Sequence, residues 1–220
     1  MNKIFNKIEK CEGAKSVNKN KEEKNCYGLS YGLKEEIKPV VLKVKSEKIK
    51  TMVITEQPYK GVSKNTKSTS DIHWEKKNSI PWKLKELLGA EFKESIENGD
   101  GRFYWTHFIK CPGNFRKGRK GKIYREGCAD KFLEEEIKEL QPDHIISVGA
   151  LGSSWLIKKY KDKNKDWREY LWQQIVDKKT VKIKINGKEI PVIFLPHPSG
   201  NNPLGWFIAQ KLKDFIKKII

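Results

Sequence analysis

Long apolar runs are missing from this chain. None approaches the roughly 20 residues that cross a bilayer, and the lysine-studded N-terminus lacks the apolar core of a secretory signal. A cytoplasmic protein is expected. Cysteine is scarce too: Cys11, Cys26, Cys111 and Cys128 are the only four in 220 residues. In a reducing compartment four thiols suit a bound metal better than disulfides. They fall into two pairs, with 14 residues inside the first and 16 inside the second, wider than a CxxC knuckle, so the spacing alone names no metal. Acidic residues are outnumbered, 28 against 46 basic, leaving a net charge of +18. Solubility needs far less, and such an excess points to a polyanionic partner such as nucleic acid. Methionine is reduced to two residues among abundant Lys, Glu and Ile, a composition compatible with a thermophilic source.

What is present is concentrated in one run, Arg102–Cys128 (RFYWTHFIKCPGNFRKGRKGKIYREGC). Aromatic and β-branched residues from Arg102 to Ile109 predict a buried strand, stopped by Pro112-Gly113. Such a strand delivers Thr106 and His107 to its carboxyl end, where ligands bind in an open α/β sheet. Cys111 follows. Arg116, Lys117, Arg119, Lys120, Lys122 and Arg125 then lie among glycines, a pattern that suits a phosphate backbone and is more local than a lysine-rich composition alone produces. Gly127-Cys128 opens a helix over Ala129–Leu140, with Leu133, Ile137 and Leu140 at helical spacing ahead of Pro142.

Elsewhere the chain alternates strands with helices. Pro39–Val44 and Ile49–Thr55 read as strands, the second ending in Glu56-Gln57-Pro58. A polar loop follows, carrying His73 and Trp74; this Trp is either a stacking platform for a base or folded back on the core. Ile80–Phe92 reads as a helix with Leu84, Leu87 and Leu88 inward. His144–Val148 is a short apolar strand running into Gly149. Val181, Ile183 and Ile185 alternate up to Asn186-Gly187, a type I′ hairpin signal. The returning strand, Pro191–Leu195, ends in Pro196-His197-Pro198-Ser199, and Asn202 with Pro203 starts the last helix. The expected fold is α/β: a mainly parallel four- to five-stranded sheet with helices on both faces and a β-hairpin addition. Residues 38–220 form one domain. Residues 1–37 are a polar arm, either tied down through Cys11 and Cys26 or a basic tail with incidental cysteines. Three strand ends are expected to bring Glu56, His107 and His197 to one edge.

Five pieces in this order, ITEQP (54–58), FYWTHFIKCPG (103–113), the Cys128 helix, HIISVGALG (144–152) and FLPHPSG (194–200), resemble the uracil-DNA glycosylase superfamily over residues 49–215. The resemblance is to its iron–sulfur branch, families four and five. It implies a DNA repair enzyme, a monomer, whose partner is DNA containing a damaged or deaminated base. By the same resemblance Cys11, Cys26, Cys111 and Cys128 are ligands of a 4Fe-4S cluster, with structural zinc as the alternative. Glu56 and His197 would be catalytic, Ser199 and Trp74 would help to bind the base, and Arg116, Lys117, Arg119 and Lys120 would hold DNA phosphates. His107 stands where the family has an asparagine that reads the extruded base. A neutral imidazole also has one donor and one acceptor, but on opposite sides of the ring, so it cannot make that bidentate contact. Each residue has a plainer reading: Glu56 as a surface salt-bridge partner, His197 as a turn histidine, His107 as a core histidine. Two further classes fit the composition, a catalytically silent DNA-binding relative and a metal-stapled RNA-binding protein.

Overall fold

The computed structural model describes residues 2–11, 39–58, 72–110, 126–198 and 203–220. At its centre lie β1 (Thr51–Thr55), β2 (Phe103–His107), β3 (His144–Val148), β4 (Val181–Ile185) and β5 (Lys188–Leu195). They form one five-stranded sheet in the order β2-β1-β3-β5-β4. β1 pairs in parallel with β2 and β3, and β3 with β5, while β4 runs antiparallel to β5. Burial explains the pattern of side chains. Every residue of β1 and β2 is buried, as a strand covered on both faces requires, whereas β4 alternates buried and exposed residues, as an edge strand with one wet face should. The β4–β5 turn is type I′, with φ of 49° at Asn186 and 81° at Gly187. The α/β sheet and its hairpin are therefore as the sequence predicts.

The helices are α1 (Asn2–Glu9), α2 (Ile80–Leu88), α3 (Ala90–Asn98), α4 (Glu134–Leu140), α5 (Ala150–Tyr160), α6 (Trp167–Asp177), α7 (Pro203–Lys211) and α8 (Lys213–Lys217). A π turn over Ala129–Leu133 leads into α4. Ser79 caps α2 by accepting from the Trp82 amide, and Asp166 with Glu169 forms a capping box on α6. Among the described residues no helix is long and apolar enough to cross a membrane.

Four details differ from the sequence-based expectation. Pro39–Val44 is not a strand. Its described backbone bonds are spaced too widely for a ladder, with the Val40 amide donating to Lys110 and that of Lys45 to Gly99, both at 2.8 Å. It is an extended strap that buries Leu42 and Val44. The helix expected over Ile80–Phe92 breaks at Gly89, whose φ of 94° ends α2 and starts α3. The last helix is likewise two, divided at Leu212. The start of the N-terminal arm belongs to the core: Ile4, Phe5 and Ile8, at i, i+1 and i+4 of α1, are buried with the sheet's own apolar residues.

Candidate active site at the carboxyl edge of the sheet

The registers place Thr55 beside His107, Ile54 beside Ser147 and Val148 beside Leu195. Parallel pairing therefore brings Glu56, Phe108, Gly149 and Pro196 to one edge. After β1 the chain goes to β2 on one side and to β3 on the other, so the order reverses between β1 and β3. That switch point is where open α/β sheets hold ligands, and Glu56 and Gly149 flank it. Gly149 has φ of 98°, a conformation side chains rarely adopt. A Cβ there would lie 2.7 Å from Glu56 Oε1 and 2.9 Å from its Cγ. Only a glycine leaves room for the Glu56 side chain to cross the mouth of β3.

His197 is half-buried between Pro196 and Pro198. Burial is the main cause that lowers its pKa; the Glu56 carboxylate opposes this and the Lys83 ammonium adds to it, with a net downward shift. The imidazole is therefore neutral at neutral pH. Glu56 and Lys83 each act electrostatically on His197. Two of the three expected strand-end residues thus meet.

The third, His107, arrives at the same edge but is held in the core. Its ring is 6% exposed, Nδ1 lies 3.3 Å from Thr55 Oγ1, and that oxygen accepts from Trp105 Nε1 at 2.9 Å. Burial first, and the nearby Lys110 charge second, push its pKa well below the usual histidine value. His107 is thus buried and hydrogen-bonded, as a core histidine would be. Trp74 resolves the same way. It is 4% exposed, stands edge-on to Phe92 at 5.7 Å and packs against Trp105 at 6.0 Å. Of the two readings, folded back on the core is the placement seen: the polar loop residues around it do not keep so large an apolar ring in water.

Thr106 faces the other side of β2, into a buried polar network. Lys110 Nζ donates to Thr106 Oγ1 at 2.6 Å and pairs with Glu136, which also accepts from Thr106 Oγ1 at 3.0 Å and from the Tyr104 hydroxyl. Lys110 and Glu136 are both 1% exposed. This network ties the end of β2 to the helix that Cys128 opens. α1 is tied to the same helix by Lys7 Nζ, 2.7 Å from Glu135 Oε1. Cys11, just after α1, and Cys128 are both half-buried against the core. Cys26, Cys111, Ser199, Arg116, Lys117, Arg119 and Lys120 lie outside the described residues. Among the described residues no three His, Cys, Asp or Glu side chains form a group able to hold a metal.

Reading the sequence overlooked two members of the edge. Lys83 is 3% exposed, and the signal for it was there: it lies four residues before Leu87, on the buried stripe of α2. Gly149 was visible as a turn glycine, but its contact with Glu56 depends on strands far apart in sequence. No protein-family model matches the chain, and no curated protein sequence matches it.

Proposed function

We propose that this protein is a DNA glycosylase that flips uracil or another deaminated base out of DNA and hydrolyses its N-glycosidic bond. The observation that carries this reading is the meeting of Glu56 and a neutral His197 at the switch point of the sheet. Extruding the base costs a few kcal/mol. Breaking the C1′–N bond then leaves an anionic base, which takes the electron pair, and a cationic sugar. The neutral imidazole of His197 can donate to the base oxygen on which charge grows, where loss of one donor typically costs about 3–4 kcal/mol. Glu56 favours the cationic sugar and orients the water whose oxygen joins C1′, accepting its proton. Lysines and arginines of the 114–125 loop would hold phosphates, so affinity should fall steeply with salt.

Four cysteines would suit a metal group. Lys7, before Cys11, and Lys110, before Cys111, are each tied to the helix that Cys128 opens, through Glu135 and Glu136, and with Cys26 four thiolates would hold a 4Fe-4S cluster or, alternatively, zinc. Such a group would staple residues 12–38 to the sheet. The brown colour of a cluster, absent from zinc, separates the two.

The test is base release from single- and double-stranded oligonucleotides carrying uracil, hypoxanthine or xanthine, scored by alkaline cleavage at the abasic site. Release is expected, with His197→Ala reducing it on the order of 100-fold or more; activity untouched by that change would overturn the assignment. A second reading, a catalytically silent DNA-binding relative, is favoured by one observation: His107, at the family's base-reading position, is closed into the core by Thr55. It predicts salt-sensitive DNA binding with no base released.

A further inference from the structure

Lysine is among the residues least often buried, and a buried ammonium is normally paired with a carboxylate. Lys83 departs from both habits. It sits on the apolar stripe of α2 with Leu84, Leu87 and Leu88, and among the described residues no carboxylate lies within ion-pair distance of it. Its Nζ instead donates to the carbonyl of Pro198 at 2.5 Å and lies 5.2 Å from the centre of the Trp206 ring on α7. Desolvation lowers its pKa. A leucine or methionine at this position would avoid that cost, so core packing alone does not explain the charge.

Its position does. Pro196 and Pro198 have no amide hydrogen, so the segment 196–198 can donate only one backbone hydrogen bond, from His197 itself. A segment so poor in backbone donors has to be held from outside, through its carbonyls and by its flanking contacts. Lys83 grips the carbonyl next to His197. The charged groups that bear on His197 among the described residues are Glu56, beyond β1, and Lys83 on α2.

We propose that Lys83 is a positioning residue for His197: its ammonium anchors the Pro198 carbonyl, fixes the histidine loop against α2 and α7, and sets a positive charge near the imidazole. This rests on the reading of His197 as the donor to the departing base. Removing the ammonium frees the loop and removes a charge that disfavours a protonated imidazole.

The experiment compares full-length wild type with Lys83→Met, which loses donor and charge, and Lys83→Gln, which keeps a donor. The His197 ring nitrogens are followed by NMR through a pH titration, with base release from a uracil oligonucleotide measured alongside. In Lys83→Met the His197 midpoint should move upward and its resonances broaden, while the urea unfolding midpoint stays at the wild-type value. kcat should fall on the order of 100-fold with KM unchanged. Lys83→Gln should recover the line widths but not the midpoint. An unmoved His197 titration in Lys83→Met would overturn the proposal. So would failure of both variants to fold, which would make Lys83 a staple of the core. If the wild type releases no base, the glycosylase reading fails by itself and the His197 titration still decides the role of Lys83.

Discussion

Glu56 occupies the space that a side chain at residue 149 would need: a Cβ on Gly149 would lie 2.7 Å from its Oε1. The backbone there, at φ of 98° and ψ of 170°, belongs to a region almost reserved for glycine, where another residue costs about 1–3 kcal/mol. Gly149→Ala should therefore act twice, lowering stability by that amount and pushing the carboxylate out of the switch point. Base release should fall on the order of 100-fold. In a Glu56→Ala background the same change should add little, because neighbouring sites couple. Rates from the four combinations decide the matter, and fully additive losses would sink the link between the two residues.

Three histidines, two in the sheet and His197 just beyond it, should make the protein sensitive to mild acid. Burial is the first cause that lowers His107, His144 and His197 below the ordinary value of 6.5. Below that pH the unfolded chain takes up protons that the folded state refuses. Their contribution is thus fully present above pH 6.5 and is lost as pH falls below it, with a slope of at most about 1.4 kcal/mol per pH unit for each histidine. The depressed carboxylates, Glu75, Asp100, Glu134 and Asp143, titrate lower still, so the window from pH 6.5 to 5 isolates the histidines. Urea unfolding across it should show a shallower acid limb in His107→Asn. Identical limbs would mean that His107 is protonated alike in both states.

The edge of the sheet was legible because polar residues follow apolar runs at Glu56, His107 and His197, and parallel pairing does the rest. The hairpin was legible because Asn186-Gly187 admits positive φ at both positions. The fate of a side chain after its strand ends was not. His107 and Trp74 look available in the sequence, yet Thr55, Trp105 and Phe92 close over them, and those contacts join segments about 20 to 50 residues apart. Lys83 was hidden for the opposite reason. A lysine on a helix is ordinarily a solvated charge, and only the carbonyl of Pro198 on a remote loop makes it otherwise.

Trp74 should behave as a packing residue. Trp74→Ala removes a ring wedged between Phe92 and Trp105 and should cost about 3–5 kcal/mol in thermal or urea unfolding. Its Nε1 is buried and has no partner among the described residues, so Trp74→Phe forfeits no hydrogen bond there and should cost less than about 1.5 kcal/mol. At a temperature where both are folded, Trp74→Phe should release bases and bind DNA as the wild type does. A selective loss of DNA affinity in the Phe variant, with stability intact, would return Trp74 to the binding surface.

The buried pair beneath β2 yields the largest stability effect. Lys110→Met takes away the ion-pair partner of Glu136 in a site that is 1% exposed, and removing one partner of a buried pair costs about 3–5 kcal/mol. Glu136→Gln alone keeps an acceptor for Tyr104 and Thr106 but strands the ammonium of Lys110, whose remaining described partner is Thr106. The double variant removes both charges together. The amide carbonyl that replaces the carboxylate still accepts from Tyr104 and Thr106, and the methionine fills the volume of the lysine stem. Most of the single-variant loss should then be recovered, because what each single change exposes is an uncompensated charge rather than a missing attraction. Urea unfolding of the four proteins measures this directly. If the double variant is as unstable as the sum of the singles, the network contributes through its geometry at the end of β2, and the charges are not what holds it.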